Sequence, residues 1–158
     1  MLAERLRWAY VDTDKIGWPM SDQLALSADS RTTAGVILLA IVAIEYGGLF
    51  MLRVVRGSQP ATRFQQAFFR AGHAHAGVLV TLALVCLVLA DAIRLAGPWA
   101  FLARNAVPAA AILMPAGFFL SAAGRGVEKP NRLILLLYLG AALLALGVIS
   151  LGVGLLFG

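Results

Sequence analysis

Apolar positions along the chain gather into four long blocks, at 31–54, 63–94, 101–123 and 130–156, separated by short segments rich in Arg, Gly and Pro. Each block is near or above the ~20 residues needed to cross ~30 Å of hydrocarbon. The first block begins after the cap-like Ser30, Thr32 and Thr33. The second opens with the amphipathic turns RFQQAFFR, expected to project from the membrane. The third holds Pro108 and Pro115. Pro115 is expected to kink its helix, which a membrane helix tolerates when neighbours satisfy the freed carbonyl. The connections RVVRGSQPAT, RLAGPWA and GRGVEKPN are short, so sequential helices should run antiparallel.

Residues 1–30 break this pattern. Charged, apolar and aromatic residues alternate there, with Trp8, Tyr10 and Trp18 among them. The pattern predicts a short amphipathic helix near 2–10 and then an irregular stretch through Pro19. Trp and Tyr favour the membrane–water interface. The expected fold is all-α: an integral membrane four-helix bundle over 31–158 with a short interfacial N-terminal arm over 1–30.

Composition supports the membrane class. Of 158 residues 61% are hydrophobic and 13% charged, whereas a soluble domain is about 45–50% apolar and about 25% charged. The net charge of +5 does not point to nucleic acid, because the basic residues flank the apolar blocks as topology determinants do. Arg53, Arg56, Arg63 and Arg70 surround the first connection, and Arg125, Lys129 and Arg132 the third. Arg94, Arg104, Arg31 and the arm's Arg5, Arg7 and Lys15 lie on the other side, offset by the acidic residues of the arm. The positive-inside rule then puts the first and third connections in the cytoplasm of a multi-pass cell-membrane protein, and both termini outside. The start, MLAERLRWAYVDTDK, has both charge signs and no long apolar core, so the first spanning helix is expected to serve as its own insertion signal. The single cysteine, Cys86, lies among Val and Leu and reads as a small buried apolar residue.

The candidate chemistry lies in FFRAGHAHAGVLV, which carries the only two histidines, His73 and His75. Ionisable groups inside a bilayer are costly and mark function by default. Glu45, in the preceding block, is a third. At ~1.5 Å per residue, Glu45 lies ~15 Å inside and the histidines ~7–11 Å inside, so antiparallel neighbours bring the three near one level. Small residues, Gly47, Gly48, Gly72, Ala74, Ala76 and Gly77, surround them and permit close helix packing. Residues i and i+2 point about 200° apart on a helix. The His73 face continues through Gly77, Val80, Leu84 and Leu87 to Asp91 and is expected to be interior. The His75 face continues through Leu79, Leu82, Cys86 and Leu89 and suits a subunit contact, an apolar cofactor or lipid. Imidazole with carboxylate suits a transition metal, and one histidine suffices for a haem. A His–Glu pair could instead relay protons without metal, or the cluster could only fix helix register, with Glu45 paired to Arg70.

The segment FFRAGHAHAGVLV resembles the R-x-x-H-A-H segments of small membrane proteins related to haem–copper oxidase subunit I. That resemblance implies haem or copper ligation by His73 and His75. It covers about a dozen residues, and the further histidines of a full binuclear centre are absent from this chain. A fainter likeness is to the four-helix hydroxylaminobenzene mutases, whose motif differs. The expected site is thus Glu45, His73 and His75 around a transition metal ion, or His73 and His75 around a haem, serving redox chemistry in the membrane. The alternative is an accessory subunit packed in a larger membrane complex. A homo-oligomer or a larger membrane complex is expected, and the glycine series Gly140, Gly147 and Gly154 on the last helix predicts a tight helix pair within the bundle or between protomers.

Overall fold

The computed structural model describes residues 25–157. Four helices fill them: α1 Ala28–Val55, α2 Arg63–Ala92, α3 Gly97–Ser121 and α4 Ile134–Phe157. All four are long and apolar enough to cross a membrane, and the chain is an integral membrane protein of the all-α, four-helix class. The interfacial arm lies almost entirely outside the described residues.

Helix ends follow local chemistry. The α1 helix starts three residues earlier than expected, because Ser27 is its cap and its hydroxyl accepts from the Ser30 amide. At the start of α2, Thr62 and Gln65 form a reciprocal capping box. The third helix also begins early, at Gly97-Pro98, where proline's missing N–H costs nothing in the first turn. It continues through Pro108 and Pro115 to Ser121. The fourth helix starts later than expected, at Ile134. Asn131 caps a tighter turn that leads into it: its side-chain oxygen accepts from the Leu133 amide and its carbonyl from the Ile134 amide, while its own amide nitrogen donates to Leu120 and its backbone N–H to Ser121. The connection is thereby tied to the end of α3.

Packing is serial and antiparallel. The α3–α4 contact is the most extensive, followed by α2–α3 and then α1–α2, while α1 and α4 scarcely meet. The bundle is therefore open on one edge. The expected glycine seam lies inside the chain: a Cβ on Gly140 would stand 2.8 Å from the Met114 amide nitrogen, and one on Gly147 would stand 3.1 Å from that of Val107. Gly117 of α3 is tighter still, its Cβ position falling on the Leu137 backbone. The main core gathers Leu79, Val80, Ala83, Cys86, Ala90, Ala103, Val107 and Leu151. Cys86 is one of its buried members.

Two expectations about α2 are corrected here. The His75 face is not a subunit or lipid surface, since Leu79 and Cys86 belong to the core and the His75 ring packs on Phe118 of α3 at 5.1 Å. Because α2 stands between α1 and α3, two faces 200° apart both find neighbours. Gly77, assigned to the interior, is exposed with open space around it. Asp91 pairs with Arg104 of α3 rather than with its sequence neighbour Arg94. Helix α2 ends at Ala92, and Arg94 lies beyond the cap in the left-handed region at φ 51°. It therefore leaves the helical face on which an i, i+3 pair would form.

Candidate functional site: an apolar groove with one imidazole

The α1–α2 contact is fixed at its two ends. At one end, Asp91 accepts from the Ser27 backbone N–H at the start of α1 and from Arg104 Nε of α3, each at 2.8 Å. Its side chain is 7% exposed and that of Arg104 20%, so this pair clamps three helices. At the other end, Phe50 of α1 meets Phe69 of α2 edge-on, and Phe69 stacks on Phe119 of α3. Beside this cluster, buried Gln65 donates to the carbonyls of Ala122 and Gly124 and accepts from the Thr62 amide. It caps the end of α3 from α2.

Between the two clamps the helices part. A cavity of about 210 Å³ is lined by Ile37, Ala40, Ile44, His73, Val80 and Pro115, among others. It shares Ala43, Gly47 and Phe119 with a larger space of about 480 Å³ that reaches Tyr46, Phe50, Gln59 and Gln65. That space in turn shares Gln59, Pro60, Gln65 and Gly124 with a cleft bordered by Arg125. The result is one groove, polar at the connection end and apolar inside, with an imidazole at its inner part.

His73 reaches α1 because that helix presents Gly47 and Gly48 opposite it. A Cβ on Gly47 would stand 3.6 Å from His73 Nδ1, and one on Gly48 3.5 Å from Nε2. Among the described residues no hydrogen bond engages either ring nitrogen of His73. His75 differs. Its Nδ1 lies 2.7 Å from the Ala71 carbonyl, and since a carbonyl only accepts, Nδ1 carries the proton. That bond and Phe118 hold the ring in place. Glu45 stands apart from both, exposed on α1, and makes no ion pair among the described residues. Arg70 does not meet it, as its Nε donates to the Gln66 carbonyl instead.

The structure thus brings one of the three expected groups into a cavity. Among the described residues no set of three His, Cys, Asp or Glu side chains is placed to hold a metal ion. The sequence reading missed the roles of Arg104, Gln65 and Phe119. A signal existed for two of them: Arg104 is an ionisable group inside an apolar block, and Thr62–Gln65 has capping-box spacing.

No protein-family model, curated protein or solved structure matches the chain.

Proposed function

We propose that this membrane protein binds an apolar, lipid-soluble molecule in the α1–α2–α3 groove, and that His73 anchors it through a hydrogen bond to a carbonyl or hydroxyl group. One observation carries the reading: an imidazole with no hydrogen-bond partner among the described residues lines an apolar cavity. His73 is half-buried, and its ring can bond a polar group held in the cavity it lines. The connected cavities are of the size that takes small ligands, roughly 300–1,000 Å³. Walls from Phe50, Phe69 and Phe119 suit an apolar body, and Gln59, Gln65 and Arg125 suit a polar group at the mouth.

The metal and haem readings fit this arrangement less well. A bare ion needs several converging donors, and Glu45, His73 and His75 point to three different surroundings. A haem needs a single imidazole with room for a macrocycle beside it, and the His73 ring lies against Gly47 and Gly48 of α1.

The test uses a decyl-substituted benzoquinone as probe, with the protein in nanodiscs and its histidines labelled with ¹⁵N. The His73 ring signals should shift on titration while those of His75 stay fixed. His73→Phe should weaken binding at least tenfold, about 1.4 kcal/mol. No shift at saturating probe would overturn the reading. Near-stoichiometric metal, or a Soret band lost in His73→Ala, would replace it with ligation.

Orientation is part of the same proposal. The Arg distribution puts the groove's polar mouth on the cytoplasmic side. A cysteine at Ser58 should then escape an impermeant thiol reagent in intact cells, and one near the C-terminus should react.

A further inference from the structure

Glu45 is the only charged residue of α1 between Arg31 and Arg53. It is exposed on a helix whose central span is 11% buried. In a single copy this carboxyl would face hydrocarbon, where a charged or unpartnered polar group is costly. Its direction can be fixed. Ala43 lines the groove that α3 closes, and Glu45, two positions on, points about 200° away. The same relation holds on α2. Gly72 abuts Phe118 and Phe119 of α3, and Ala74, two positions on, again points about 200° away. Glu45 and Ala74 therefore share the flank of the α1–α2 pair turned away from α3. They lie within about a turn in depth, because His73 meets Gly47 and Gly48.

That flank is suited to close approach. Along α2 it exposes Ala67, Ala74, Gly77 and Thr81, followed by the larger Val85, and no neighbour lies within 4 Å of a Cβ placed on Gly77. Small residues let membrane helices pack backbone to backbone, and polar side chains then bond across the contact.

We propose that this flank is the interface with a second copy of the chain, related by a two-fold axis along the membrane normal. Such an axis brings Glu45 of each copy to the same depth without any adjustment of register. Two carboxyl groups brought together can share a proton, one donating and the other accepting. Two-fold dimers are the commonest homo-oligomers and use the same patch on both copies. The groove opens on the opposite side of the α1–α2 pair, so the contact leaves it accessible from the lipid.

The experiment is cross-linking and sizing of the full chain in membranes and nanodiscs, in a Cys86→Ala background. Ala74→Cys should form an intermolecular disulfide on mild oxidation, and Leu146→Cys, exposed on α4, should not. Glu45→Gln keeps both a donor and an acceptor and should stay dimeric. Glu45→Leu removes an exposed polar group, so it should insert and fold, yet its dimer dissociation constant should rise at least tenfold. A monomeric wild type, an equally tight Glu45→Leu dimer, or cross-linking through Leu146→Cys alone would overturn the proposal. A stoichiometric different protein cross-linked at Ala74→Cys would overturn it as well.

Discussion

Along the α3–α4 seam, the place where a glycine's Cβ would stand is already taken: by the Leu137 backbone at Gly117, by the Met114 side chain and amide at Gly140, and by the Val107 side chain at Gly147. Along the α1–α2 contact, the corresponding places at Gly47 and Gly48 meet only the His73 ring, at 3.4–3.6 Å. Both regions use small residues, but to different ends. The seam spends its glycines on dispersion contact between main chains, the chief attraction available to helices in lipid. The α1–α2 contact spends them on room for an imidazole, and it remains loose enough between its clamps to hold a cavity. One chain can thus place a tightly packed half beside a more open half using the same residue type, and only the neighbour decides which.

The comparison would break first at Gly117. Gly117→Ala forces a Cβ into the Leu137 backbone, which cannot rotate aside, and should cost about 3 kcal/mol or more, read by unfolding in nanodiscs. Little loss there would mean the seam is as loose as the groove. Asp91→Ala should come next, at about 3 kcal/mol, because it leaves the mostly buried Arg104 without its partner and the Ser27 amide unbonded. Its effect should be local, with hydrogen exchange rising over the first turns of α1 and staying unchanged along α3 and α4. Equal loosening of all helices would show that α1 is not a separately held element.

Gly48→Ala sharpens the contrast further. Its Cβ would sit in ordinary van der Waals contact with His73, so stability should change by less than about 1 kcal/mol, while binding of the benzoquinone probe should fall as the methyl covers Nε2. The exposed Gly77→Ala should leave probe binding alone and stabilise the monomer by up to about 1 kcal/mol from helix propensity. Arg94→Gly should give the smallest effect, a gain of about 0.5 kcal/mol, because glycine adopts the left-handed backbone of this cap without strain. A loss there would point to an unrecognised contact of the Arg94 side chain.

The candidate site was legible in the sequence only in part. His73 was marked by being ionisable in an apolar block and by the small residues around it, and both signals concern local environment. That Glu45 and His75 would not join it was hidden, because the depth estimate fixes height along the membrane but not rotation about each helix. On α2 the 200° rule separated the two histidines correctly. It could not tell that α2 stands between two helices, so that each histidine meets a neighbour. Asp91 shows the same limit. Its neighbour in sequence, Arg94, was the natural partner, but α2 ends before a helical i, i+3 pair can form, and Arg104 arrives from another helix.

What the sequence determined by itself is what the bilayer imposes on every chain. Backbone groups in hydrocarbon must bond within their own segment, so four apolar blocks of spanning length dictate four helices, and short connections make them antiparallel. Caps such as Thr62–Gln65 belong to the same local order. The order of packing was left to tertiary structure. Apolar surface surrounds all four helices, and lipid is as apolar as a neighbouring side chain, so hydrophobicity could not say which faces meet. Steric fit decided it: backbone against glycine between α3 and α4, imidazole against glycine between α1 and α2, and a carboxyl on α1 left facing outward.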